Sequence, residues 1–180
     1  MENKRRNGFT LIELMIVLVI AAILLAIGVP SFRALIQNQR MTTTVNEFFA
    51  AINLTRAEAL QRGMQVTMAP ADTDGGDWTK GWVVFVDDND NKRPDSNEKV
   101  IFTHGPVASG LGISSNIGSA PFFIGFSATG SIRMAANQKG GTISFTLDNQ
   151  SRLIRINFLG RARVCDPAKD TVNCVVSTNG

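Results

Sequence analysis

An α+β fold is predicted: a long N-terminal helix, its first half transmembrane, whose second half packs on a mainly antiparallel β-sheet domain. Three observations predict it. Phe9 to Val29 is apolar apart from Thr10 and Glu13, a run of about 20 residues, the length a helix needs to cross a bilayer. Beyond Pro30, apolar residues recur at three- and four-residue steps, the spacing of an amphipathic helix. After Gly63 the chain changes to short β-type runs between turn residues, with no helical pattern separating them, which favours antiparallel pairing.

The first eight residues form a short leader carrying Lys4, Arg5 and Arg6 and ending in Gly8. Basic residues beside a membrane segment favour the cytoplasmic side and send the remainder outward. No small-residue cleavage site follows the apolar run, unlike an ordinary secretory signal. Instead Gly8 precedes the run and Glu13 lies inside it. A carboxylate at the centre of a membrane helix costs about 2.5–3.5 kcal/mol on insertion scales. Glu13 is therefore either a satisfied or snorkelling residue at the helix end, or it waits for a cation supplied by another subunit.

Pro30 removes a backbone donor and is expected to bend the helix. The apolar face that follows comprises Phe32, Leu35, Ile36, Met41, Val45, Phe48, Phe49, Ile52 and Leu60, and Arg62-Gly63 supplies a basic last turn and a stop. Strands are expected at 65–69, 81–86, 99–103, 122–126, 131–135, 142–147 and 153–158. The chain thus divides into a leader (1–8), a membrane helix (9–30), an amphipathic helix (31–63) and a β-rich globular part (64–180). One modest domain with an extension is what 180 residues allow.

Charge is unevenly distributed. Residues 71–100 hold eight acids against four bases, whereas from Ser131 onward seven bases face three acids. One end of the globular part should carry a positive field, whether a merely solvated face or a binding surface. Cys165 and Cys174 have no zinc-type spacing. In an oxidising compartment they would close a loop of about ten residues, contributing roughly 2–3 kcal/mol. Asp87, Asn89, Asn91, Asp95 and Glu98 fit part of a calcium-loop register, but Lys92 stands where the turn needs glycine. A solvated acidic loop is the reading preferred there. His104 is the only histidine, so a catalytic triad or a multi-histidine metal site would rest on it alone. No phosphate-binding Gly-rich loop is present. Neither an enzyme nor a cofactor is expected.

The candidate functional surface lies near the C-terminus. In Arg152 to Phe158, period-two alternation places Ile154, Ile156 and Phe158 towards the core and Arg155 and Asn157 towards water. Gly160-Arg161-Ala162-Arg163 follows. If that stretch is extended, Arg161 and Arg163 point the same way about 7 Å apart. The planar guanidinium suits phosphate because it donates two parallel hydrogen bonds. With Phe158 facing the core, no aromatic residue interleaves the arginines, and base stacking is not expected to add much.

The segment Gly8-Phe9-Thr10-Leu11-Ile12-Glu13 resembles the cleavage and methylation site of type IV prepilins and pseudopilins. The resemblance implies cutting between Gly8 and Phe9 by a prepilin peptidase and methylation of the new Phe9 amine. It also implies that Glu13 pairs with the N-terminal amine of a neighbouring pilin subunit during assembly. Arg56-Ala57-Glu58-Ala59, Trp78 to Asp87 and Phe126-Ser127-Ala128-Thr129-Gly130 resemble the minor pilin branch that contains FimT, FimU and GspH. Gly160-Arg161-Ala162-Arg163 matches the Gly-Arg-x-Arg motif of the DNA-binding FimT type, implying that Arg161 and Arg163 contact the DNA backbone. The expected fold is then type IV pilin-like. The expected protein is an inner-membrane minor pilin with a periplasmic domain, later part of an extracellular filament, that binds DNA without sequence preference for uptake in natural transformation. An assembly-priming pilin with no ligand, or a GspH-like pseudopilin of a type II secretion system, would share the same N-terminal helix.

Overall fold

The computed structural model describes residues 9–118, 120–134, 138, 140–172 and 174. Gly8 and the basic leader lie outside the described residues, as do Ala135 and Lys139. Two compact units result, Met1–Gln39 and Arg40–Gly180.

Helix α1 runs Leu11–Arg62 without a break at Pro30. Its start is explained by a reciprocal cap. The Glu13 N–H donates to Thr10 Oγ1 at 3.3 Å, while Glu13 Oε2 accepts from the Thr10 N–H and hydroxyl, both at 2.9 Å. Thr-x-x-Glu is the capping-box pattern, and it satisfies N–H groups that a helix start otherwise leaves orphaned. At the other end Arg62 pairs with Glu58 at 2.6 Å, one turn back. In the first unit the side chains from Leu11 to Ile20 are all exposed, and the helix is long and apolar enough to cross a membrane.

In the second unit one stripe of α1 is buried: Met41, Val45, Phe48, Ile52, Thr55 and Ala59. These positions follow three- and four-residue steps, so they share one helical face. Thr55 sits there without penalty because its hydroxyl donates to the Ala51 carbonyl at 2.7 Å. The burial differs from the expected face at both ends. Phe32, Leu35 and Leu60 are exposed, and Ala59 carries the last buried position.

Among the described residues nine strands form two antiparallel sheets: β1 (Val66–Pro70), β2 (Trp82–Val86), β3 (Val100–His104), β4 (Gly112–Ser115), β5 (Ile124–Phe126), β6 (Ile132–Met134), β7 (Gly141–Leu147), β8 (Gln150–Ile156) and β9 (Ala162–Cys165). The first sheet has the order β3-β2-β1-β5-β6, the second β4-β7-β8-β9. One core cluster joins the helix stripe to Val66, Met68, Val84 and Phe126 of the first sheet and to Ile143, Phe145, Ile154 and Ile156 of the second. Phe48 stands at its centre, meeting Trp78, Trp82 and Phe145 edge-on at centroid distances of 5.0, 4.9 and 5.3 Å. Each such aromatic pair contributes about 0.5–1.5 kcal/mol beyond area burial. The opposite face of the first sheet carries a second cluster, Ala69, Val83, Phe85 and Phe123.

Seven of the strands correspond to the runs expected from sequence, with ends that coincide or shift by up to three residues. β4 and β9 are additional. Gly81, between a short 3-10 turn (Trp78–Lys80) and β2, has φ of +102°, and a Cβ there would lie 2.1 Å from the His104 carbonyl oxygen. Only glycine permits that approach. His104 is a turn-proximal structural residue: its ring stacks on Trp82 at 3.9 Å, and Nε2 lies 3.1 Å from Glu47 of the helix.

Candidate nucleic-acid interface

The second sheet is built from two successive hairpins. β7 and β8 are joined by Asp148-Asn149, with Leu147 opposite Gln150 and Asp148 at φ of +50°, the backbone that a two-residue hairpin turn requires. β8 then buries Ile154 and Ile156 on the helix side, as its alternation demands. On the outer side, Leu153 is covered by a disulfide between Cys165 and Cys174, and these three form a small cluster of their own. The next outward position is Arg155, and the register places it directly opposite Arg163 of β9.

The β8–β9 connection explains how the arginines are positioned. The Asn157 side-chain Oδ1 accepts from the N–H groups of Leu159 and Arg161, each at 3.0 Å. The Gly160 N–H donates to the Asn157 carbonyl at 2.8 Å, and the Asn157 N–H donates to that of Arg161 at 3.1 Å. An Asx turn followed by a left-handed glycine is a compact way to reverse a hairpin. Gly160, at φ of +71°, is buried, and a Cβ there would lie 2.7 Å from the Phe126 ring. Its carbonyl also accepts from Arg56 of the helix at 3.4 Å. The glycine of the Gly-Arg-x-Arg sequence thus has a structural reason: it lets the turn sit on the core while the residues on either side of it face outward.

Arg155, Arg161 and Arg163 consequently line one shallow groove of about 540 Å³, together with Ile156, Asn157, Ala162 and Val172 of the disulfide loop. All three arginines are exposed. Arg163 lies 3.7 Å from Asp170, and neighbouring Arg152 is drawn into a shorter pair with Asp166 at 3.2 Å. Elsewhere Arg133 is held by Asp90 at 2.8 Å. Arg155, Arg161 and Arg163, the last also meeting Asp170, are thus gathered about one open groove.

One expectation is overturned. Phe158 does not face the core; it is 69% exposed, and Leu159 beside it is 49% exposed. β8 ends at Ile156 because Asn157 begins the turn, so the strand alternation does not extend to residue 158. The Asn-x-x-Gly spacing of residues 157–160 was the available turn signal.

The acidic loop is closed on itself. Glu98, 7% exposed, accepts from the Asp88 and Asp95 N–H groups, both at 3.0 Å. Asp95 accepts from the side-chain amides of Asn89 and Asn91, which in turn accept from the N–H groups of Asn91 and Arg93. Burial works to raise the Asp90 carboxyl, but hydrogen bonds from Gln65, Lys92 and Arg133 and the charge of Arg133 outweigh it, holding it at about 2. Among the described residues no group of three or more His, Cys, Asp or Glu side chains converges as a metal ion would need.

A helix with an apolar N-terminal half and two antiparallel sheets packed with its other half have the architecture of the pilin class of filament subunit. Comparison with known proteins agrees. Residues 44–160 match the family described as type II transport protein GspH, and residues 3–29 match the prokaryotic N-terminal methylation motif. The chain is 31% identical over 174 residues to the fimbrial protein EcpB of Eikenella corrodens, covering 95% of this chain and 98% of that protein. Its fold is similar to the type IV minor pilin FimU of Pseudomonas aeruginosa (TM-score 0.56, 17% identity, 73% of this chain and 92% of that one). It is also similar to the minor pseudopilin EpsH of the Vibrio cholerae type 2 secretion system (TM-score 0.52, 15% identity, 71% and 98%). The chain belongs to the GspH family of minor pilins and pseudopilins, which are structural subunits rather than enzymes. The apolar helix and the methylation motif fit a membrane-anchored pilin with a globular C-terminal domain.

Proposed function

We propose that this protein is a minor pilin of a type IV pilus that captures DNA, without sequence preference, for uptake in natural transformation. Prepilin peptidase cuts between Gly8 and Phe9 and methylates the Phe9 amine. Residues 9–30 hold the subunit in the inner membrane until it enters the filament, with the domain from residue 64 onward in the periplasm. Glu13 then exchanges part of its hydrogen bonding with Thr10 for the N-terminal amine of a neighbouring subunit. The observation that carries the DNA reading is the convergence of Arg155, Arg161 and Arg163 on one groove beside a turn anchored at Gly160. Arginine forks grip phosphate in pairs of hydrogen bonds, and such contacts carry no sequence information. The fimbrial name of the 31% identical relative supports a pilus over a secretion apparatus.

The second reading, a pseudopilin of a type II secretion system, is favoured by the description of the matched family. Charge reversal separates the roles in cells that make the filament. R161E/R163E is expected to abolish DNA uptake and leave filament number unchanged. Loss of the filaments themselves would make these arginines assembly residues and remove the support for DNA capture.

A further inference from the structure

We propose that Phe158 is a base-stacking platform, so that the arginine groove holds unpaired nucleic-acid strands more tightly than blunt duplex. The inference rests on the DNA-binding reading and adds the form of DNA that the site takes. The turn of residues 157–160 requires asparagine at its start and glycine at its end, but its two middle positions are open to polar residues. They are instead Phe158 and Leu159, both exposed, and neither belongs to a core cluster. The ring therefore presents its surface to solvent one residue beyond Asn157, which lines the groove.

Rigidity matters as much as exposure. The turn is fixed by three hydrogen bonds to Asn157 and by the burial of Gly160 against Phe126. Little conformational freedom is then lost when a base settles on the ring, which favours binding. Arg161 and Arg163, two residues apart and about 7 Å along an extended chain, can hold one strand at separate phosphates while its base reaches the turn. Paired and stacked bases in a duplex hide their faces, whereas an unpaired base offers a π-face regardless of its identity. A basic groove beside a turn that carries an exposed aromatic ring suits sequence-tolerant single-strand binding.

The same exposed ring would serve an apolar contact with another protein surface, and substitution distinguishes the two. The full-length protein in detergent would be titrated by fluorescence anisotropy with labelled oligothymidylate and with a blunt duplex of equal length. F158A is expected to weaken oligothymidylate binding by about thirtyfold, a middling value for one base–aromatic stack, and to leave duplex binding unchanged. F158L, which keeps apolar surface but has no π-face, should behave like F158A, and F158W should retain the affinity. R161A/R163A should weaken both forms. Unchanged oligothymidylate binding by F158A, full retention by F158L, or equal loss on both DNA forms would overturn the stacking role while leaving DNA capture in place. A wild-type protein that binds neither form would overturn DNA capture itself, and the stacking role with it.

Discussion

The loop of residues 87–98 and the groove around Arg155, Arg161 and Arg163 are both densely charged, yet they are built in opposite ways. In the loop, each carboxylate and amide described above is turned inward: Glu98 holds two backbone N–H groups, Asp95 two side-chain amides, and Asp90 the side chains of Gln65 and Arg133. In the groove, the hydrogen bonds fix the backbone of the turn while the guanidinium groups of three arginines line an open surface. The contrast teaches that charge density alone does not mark a site. What separates the loop from the proposed binding surface is where the charged groups stand: the loop carboxylates hold the backbone and side chains around them, whereas the arginines, Arg163 while also meeting Asp170, line an open groove.

Substitutions in the two regions should therefore differ in kind. G160V is expected to have the largest effect: left-handed strain and the clash with Phe126 should cost about 3 kcal/mol. It should also weaken DNA binding with all three arginines intact, which thermal unfolding and anisotropy would measure together. Next, C165S/C174S should lower stability by about 2–3 kcal/mol through lost loop constraint, and a denaturant titration would report it. Because the disulfide loop walls the groove through Val172, DNA affinity should fall as well. E98A should cost about 2 kcal/mol, since two N–H groups lose a charged acceptor, but DNA affinity should not change. Reduced DNA binding by E98A would break the contrast between loop and groove.

The smallest effect concerns pH. Asp90 titrates at about 2 in the folded chain, below the unfolded value of about 4. Its contribution is therefore complete above about pH 4 and is lost as the pH falls through about 2. The difference in melting temperature between wild type and D90N should shrink over that interval. Half-exposure of the side chain keeps the effect modest.

Much of this architecture was legible in the residues. The apolar run, the stripe from Met41 to Ile52 and the Arg62-Gly63 stop all announce α1, because helical periodicity and termini are local properties. Seven strands were legible for the same reason. β4 was not, since Gly112-Ile113-Ser114-Ser115 has one large apolar residue and owes its strand state to pairing with β7. Glu13 stands out in the sequence as a costly carboxylate, and the Thr10-x-x-Glu13 cap that satisfies it within its own helix is a second, local signal at the same residue. Arg161 and Arg163 line one groove, the common direction that extended spacing implies, whereas strand alternation carried through the turn misplaces Phe158. The coupling of Gly160 to Phe126 and Arg56 joins residues distant in the chain and has no local signature.

The most direct test of the central claim is duplex DNA binding by the full-length protein in detergent, followed by anisotropy across a salt series beside R161A/R163A. Affinity should fall steeply with salt, and the double variant should bind weakly with a log–log slope reduced by about 2, one counterion's worth for each lost phosphate contact. Equal affinity and equal salt dependence in the two proteins would contradict the assignment of DNA capture to this groove.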